Sequence, residues 1–228
     1  MRASTISRGL DLLALPLIAI GMALAFLYVP GERTMGDVQR IFYFHVPFAM
    51  SSFVGFAIVL VASLGYLKTR RDAWDVVAEA AAEVGFLCCT IVLLTGPVWA
   101  RSAWGVWWTW DARLTTTLIL WMVYAAYLVL RAYGAEDAKL KRYAAVLGIV
   151  GALNVPIVYF SVKWFRTQHP SSTFFTREGL PVPAMAFTLR FCLIAVLILF
   201  VTLLLKRIQV GRLEAERDQL RYELDARE

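Results

Sequence analysis

Apolar residues along this chain gather into six long blocks, and polar residues are largely confined to the stretches between them. The blocks run about Leu12–Val29, Ile41–Leu67, Val76–Trp99, Leu114–Tyr133, Tyr143–Val162 and Met185–Leu205. Each is near the roughly twenty residues that a helix needs to cross the hydrocarbon core of a bilayer. The pattern predicts an all-α, polytopic membrane protein with six transmembrane helices over residues 1–205 and a helical cytoplasmic tail over 206–228. Ahead of the first block stand Arg2 and Arg8, and Ala23-Leu24-Ala25 looks like a signal-peptidase site. The apolar run is longer than a usual signal-peptide core, so it is expected to stay as an anchor.

Composition narrows the class. The 228 residues are 60% hydrophobic and 18% charged, with a mean hydropathy of +0.63, which excludes a soluble domain with one core. The net charge of +6 therefore implies no nucleic-acid partner; the partner that composition does imply is the lipid bilayer. Cys88, Cys89 and Cys192 all lie inside apolar runs without C-x-x-C spacing, which reads as small buried residues rather than a disulfide framework or zinc site. There is no C-x-x-C-H for covalent haem and no G-x-x-x-x-G-K-[ST] loop, so any ATP hydrolysis belongs to a partner.

The sidedness of the cations orients the spans. One set of segments carries Arg2, Arg8, Lys68, Arg70, Arg71, Arg131, Lys139, Lys141, Arg142, Lys206, Arg207 and Arg212. The other carries only Arg33, Arg40, Arg101, Arg113, Lys163, Arg166 and Arg177. The richer set is expected to be cytoplasmic, with both termini. In the third block, Glu79 and Glu83 follow Asp72 and Asp75 on one side of the helix, beside Arg70 and Arg71. Two readings stand: a solvated or locally paired face, or a contact for another subunit's helix. Arg190 lies close enough to the outer end of the sixth block to snorkel. In the tail, Val210, Leu213, Leu220 and Leu224 approximate a heptad stripe broken by Arg217, and Glu223 is spaced to pair with Arg227.

The segment between the third and fourth blocks is the anomaly. Trp104-Gly105-Val106-Trp107-Trp108-Thr109-Trp110-Asp111 holds four tryptophans in seven residues, on the outer side by the cation count. Were it helical, Trp104, Trp107, Trp108 and Asp111 would share one face, and Trp99, Ala103, Val106 and Trp110 a second. One face could lie in the membrane interface while the other meets a ligand. The plainer readings are interfacial anchoring for the indoles and an N-cap role for Asp111. The string resembles the tryptophan-rich WWD motif of haem-handling proteins of cytochrome c assembly.

The chain has only two histidines, His45 and His169, and both fall on the outer side. Either alone reads as an ordinary hydrogen-bonded residue. Together, two neutral imidazoles approaching from opposite directions suit the axial positions of a haem iron, with tryptophans as an aromatic shelf. Arg40, Arg113 and Arg190 lie at a depth that suits propionates. Zinc fits less well, because two His without Cys or a nearby carboxylate leave too few ligands.

Six spans, His45-Val46-Pro47 opening the second, the WWD string running into Ala112-Arg113-Leu114-Thr115, and a single outer His before the sixth resemble the CcmC family. The likeness covers nearly the whole chain. It implies haem b (iron protoporphyrin IX) held at the periplasmic surface of a bacterial inner membrane by His45 and His169. Trp104, Gly105, Trp107, Trp108, Trp110 and Asp111 would form the platform, and Arg40 and Arg113 would assist. It further implies the ABC-transporter subunits CcmA and CcmB, the small CcmD, and the haem chaperone CcmE as partners. One departure concerns the second His: the family favours Trp-Trp-Asn-Thr-Leu-His-Gln, and here the chain reads Trp164-Phe165-Arg166-Thr167-Gln168-His169-Pro170. Two other classes compete with a haem-presenting subunit. A haem-translocating permease would need a polar path through the bundle, for which Asn154, Ser161 and a few Thr are the available lining. An electron-transfer cytochrome b subunit would place its His pair within the bilayer, whereas both His here lie at one surface.

Overall fold

The computed structural model describes residues 5–32, 35–134, 137–169, 180 and 182–225. Among these stand six long helices and no sheet: α1 (Thr5–Ala23), α2 (Phe42–Thr69), α3 (Asp72–Trp104), α4 (Ala112–Gly134), α5 (Ala138–Trp164) and α6 (Pro183–Asp225). All six are long and apolar enough to span a bilayer, so each expected block is a helix, extended at its ends. α1 loosens into a wider π-type turn over Leu24–Tyr28, and a tight 3₁₀ turn at Asp37–Ile41 leads into α2.

α6 runs unbroken from the sixth apolar block into the tail as far as Asp225. Nothing in residues 206–225 forces a stop, and Gly211 has a packing role. A Cβ there would sit 2.9 Å from Val76 Cγ1, so glycine lets α6 pass close to the start of α3. Val210, Leu213, Leu220 and Leu224 are exposed along this extension. The expected Glu223–Arg227 pair lies outside the described residues, because Arg227 is not among them. α3 stops at Trp104, so the rest of the Trp run is a link between helices rather than a continuation of α3.

α2 and α3 form the tightest hairpin. Arg70 takes a left-handed conformation (φ 57°) to reverse the chain, and its N–H returns to the Tyr66 carbonyl. Midway along, Gly55 faces Gly85 so closely that a Cβ on Gly55 would meet the Gly85 Cα at 2.9 Å. Small residues permit such approach between helices in a membrane, where packing replaces the hydrophobic drive. α4 docks through Phe56 stacked on Tyr124 (centroids 3.8 Å apart) and through Trp121 Nε1, which donates to Thr90 Oγ1 at 2.9 Å. Tyr124 then donates to the Gly148 carbonyl of α5 at 3.0 Å. α1 lies against α6, where Gly21 meets Cys192. The three cysteines are unpaired and buried, acting as small core residues.

At the end of the bundle near the α2–α3 turn, the acidic face of α3 meets cations from three other helices. Arg131 of α4 bonds Asp75 at 2.8 Å and Glu79 at 2.6 Å. Arg207 of α6 bonds Glu83 at 2.8 Å, and Lys141 of α5 reaches Asp72 at 3.0 Å. Of the two readings of this face, local pairing is the one realised, but across the bundle rather than with Arg70 and Arg71. Buried carboxylates at this depth require a cation within hydrogen-bonding reach.

Two stability predictions follow from this packing. Arg131→Met leaves Asp75 and Glu79 uncompensated and should cost about 3–5 kcal/mol, whereas Lys206→Met, which breaks a half-exposed pair with Asp11, should cost no more than about 1 kcal/mol. Gly55→Ala should destabilise by about 1–3 kcal/mol through overpacking, while Gly9→Ala, with open space around it, should not destabilise. Unfolding in detergent micelles, followed by helical circular dichroism, ranks all four variants.

Candidate functional site

The opposite end of the bundle gathers the start of α2, the α3–α4 link and the end of α5. His45 sits one turn into α2 and is half-buried against α3. Its Nδ1 lies 2.9 Å from Thr95 Oγ1, and a Cβ on Gly96 would touch its Cε1 at 3.4 Å. Thr95 also approaches the Ile91 carbonyl at 2.8 Å. Two oxygens this close need a proton between them, and a carbonyl brings none, so the Thr95 hydroxyl donates to Ile91. An Oγ1 lone pair is then left facing His45 Nδ1.

One turn further along α3, Trp99 takes up the second histidine. The His169 ring lies 6.5 Å from the Trp99 ring, centroid to centroid, and Trp104 packs edge-on against the other side of Trp99 at 5.0 Å. Thr95 and Trp99 are four residues apart and share a face of the helix. The two histidines, 124 positions apart in the chain, therefore pack along one strip of α3, and His45 lies within electrostatic reach of both His169 and Arg113.

Beyond Trp104 the chain leaves the helix, so the two four-residue faces expected of a helical Trp run do not form. Gly105 supplies the left-handed turn (φ 78°) that ends α3; its N–H returns to the Arg101 carbonyl and its own carbonyl accepts from the Arg101 guanidinium. Glycine is the residue for which this conformation costs least. Residues 105–111 then cross irregularly to α4. Trp107 and Trp110 are 59% and 76% exposed. Trp108 packs edge-on to Trp110, and both line an apolar groove with Leu93, Pro97 and Leu118. By the helical period, Leu93 and Pro97 project roughly opposite to Thr95 on α3. The tryptophans are thus divided: Trp104 joins the histidine strip, and Trp108 and Trp110 close the groove behind it.

Asp111 joins these parts. Its Oδ1 accepts from the Leu114 N–H at 2.9 Å, the N-cap role expected of it. Its Oδ2 accepts from the Thr167 hydroxyl at 2.6 Å, and Thr167 Oγ1 accepts in turn from the His169 N–H at 3.1 Å. The loop that carries His169 is thus tied to the start of α4 through Thr167.

The expected cations separate. Arg113 lies partly buried at the start of α4 and donates through Nη2 to the Tyr159 carbonyl at 2.9 Å. Arg40 is engaged elsewhere: Nη1 reaches the Ala25 and Phe26 carbonyls at 2.6 and 2.8 Å, and Nε reaches Asp37 at 2.9 Å. It satisfies carbonyls that the π-type end of α1 leaves without helical donors. Arg190 is exposed on α6. Within 108–115, four buried side-chain polar atoms have no hydrogen-bond partner among the described residues: Trp108 Nε1, Thr109 Oγ1, Arg113 Nε and Thr115 Oγ1. Such a concentration of unsatisfied groups marks a place where a ligand or water completes the bonding.

Sequence reasoning did not single out Thr95, Thr167 or Tyr159. The one available signal was a hydroxyl, Thr95, inside an apolar block and one turn before Trp99. The Asp111 bridge predicts a separable pair of defects. Asp111→Ala should cost about 0.5–2 kcal/mol and raise amide exchange at both Leu114 and His169, whereas Thr167→Val should raise it only around His169. Hydrogen-exchange mass spectrometry on the two variants reads both.

Comparison with known proteins adds a lineage to this geometry. Heme exporter protein C of Bradyrhizobium diazoefficiens is 39% identical over 185 residues, covering 77% of this chain and 70% of that protein. The protein of the same name from Escherichia coli K12 is 34% identical over 193 residues, covering 84% and 78%. A putative cytochrome c biosynthesis ccmC-like mitochondrial protein from Marchantia polymorpha is 32% identical over 157 residues, covering 69% and 66%. The family model described as CcmC, heme exporter protein C, matches residues 2–223. On this match across almost its entire length, the chain belongs to the CcmC family of multi-pass membrane proteins.

Proposed function

We propose that this chain binds haem b at the periplasmic face of the bacterial inner membrane and presents it to the haem chaperone CcmE during c-type cytochrome biogenesis. In this reading His45 and His169 are the axial ligands, and the CcmA ATPase with the membrane subunits CcmB and CcmD are its other partners. The observation that carries it is the convergence of the chain's only two histidines on one strip of α3, with the His45 ring bonded through Nδ1. A bond at Nδ1 is the usual second-shell support of an imidazole that ligates through Nε2.

The donor set suits the cargo. Trp99 and Trp104 offer an aromatic wall beside the histidines, a surface suited to a flat apolar macrocycle. Arg113 Nε is a buried N–H donor without a partner among the described residues, and carboxylates such as propionates are what such a donor binds. Gly105 sets where the Trp run leaves the helix, and Asp111 ties that run to the His169 loop. The exposed indoles of Trp107 and Trp110 give a docking chaperone an amphipathic surface near the cargo. Arg40 contributes at one remove, by holding the end of α1 against the start of α2. The outward orientation rests on the asymmetry of Lys and Arg between the two sets of segments. The chain's share of the work is binding and orientation; the reactive chemistry belongs to the porphyrin and its acceptor.

Absorption spectra of the detergent-purified chain, produced with its proposed partners, test the assignment. Wild type should show a low-spin haem spectrum, and His45→Ala and His169→Ala should each lose haem or turn it high-spin. Retention of the low-spin spectrum in both single variants would sink the ligand pair.

A further inference from the structure

We infer that Thr95 is a positioning residue that holds His45 as its Nδ1–H tautomer and so makes Nε2 the ligating atom. The inference rests on the reading of His45 as a haem ligand and adds which nitrogen binds and what selects it. A neutral imidazole has one protonated and one bare nitrogen, and only the bare one can bind iron. Left to water, both tautomers are populated. Here Thr95 Oγ1 lies 2.9 Å from Nδ1 while its own proton is held by the Ile91 carbonyl at 2.8 Å, with the Val92 carbonyl at 3.4 Å. With that proton engaged, the hydroxyl can only accept from the ring.

The neighbouring residue completes the constraint. Gly96, without a side chain, lets the Cε1 edge of the ring lie against α3. The ring is thus held along its Nδ1–Cε1 side. Pro97 follows directly and lacks an N–H, which leaves the Leu93 carbonyl without its helical donor.

The two histidines make the tautomer directly observable. In ligand-free wild type labelled with ¹⁵N-histidine, the His45 signals, assigned by their loss in His45→Ala, should show a protonated Nδ1 and a bare Nε2. A protonated Nε2 would overturn the inference without reference to haem. In haem titrations, Thr95→Val should bind about 10- to 100-fold more weakly than wild type and shift the low-spin ferric electron paramagnetic resonance signal. Thr95→Ser, which keeps the hydroxyl, should stay within about twofold. If Thr95→Val binds like wild type while His45→Ala loses the low-spin signal, the ligand reading stands and the role of Thr95 falls. If Thr95→Ser is as weak as Thr95→Val, shape rather than the hydroxyl matters, and the inference is again overturned. If His45→Ala keeps the low-spin signal, the ligand reading fails and takes this inference with it.

Discussion

The carboxylate of Asp111 is the point on which the functional end of the bundle depends. One oxygen completes the first turn of α4 and the other holds Thr167, whose hydroxyl oxygen in turn accepts the His169 N–H. An exposed N-cap and a loop anchor are each modest alone. Joined in one residue, they make the start of α4, the end of the Trp run and the His169 segment a single mechanical unit. Residues 105–111 and His169 lie on connecting segments, which are ordinarily the most mobile parts of a protein. A carboxylate with both oxygens engaged restricts that mobility at low cost.

α3 is the common rail for everything else. Along its length it presents an acidic face to Arg131, Lys141 and Arg207, then the small-residue contact at Gly85, and finally Thr95, Gly96 and Trp99 to the two histidines. The ion pairs at one end and the imidazoles at the other answer the same constraint. A polar group on a membrane helix has to find its partner within the protein, because the hydrocarbon offers none. At the charged end this produces a cross-bundle clamp with every named acid paired. At the histidine end it produces an imidazole bonded to Thr95 and, over residues 108–115, four buried polar atoms without a partner among the described residues.

The Trp run looks different once its path is known. A continuous helix would have aligned its indoles into two faces. Gly105 ends the helix and scatters them: Trp104 beside the histidine strip, Trp108 and Trp110 over a groove on the far side of α3, and Trp107 toward solvent. The stretch is therefore a junction with three surroundings. The separate fate of Arg40, drawn to the carbonyls at the end of α1, is similar: a cation at the right depth was already engaged by unsatisfied backbone.

The linear chain alone determined the six spans, the polar turns between them and the end of the bundle on which both histidines and the Trp run gather. These follow from hydropathy and element order, since a membrane helix satisfies its backbone hydrogen bonds within its own segment. The Asp111 cap was legible for the same reason, because donor and acceptor lie three residues apart. Tertiary structure decided the rest. Thr95 and His45 are 50 residues apart, Thr167 and Asp111 are 56, and Arg131 finds Asp75 across another 56. Each contact requires two distant segments to meet in a particular orientation, to within a fraction of an ångström. Hydropathy and spacing place residues on a face and at a depth, but a hydrogen bond is set by direction and distance through space.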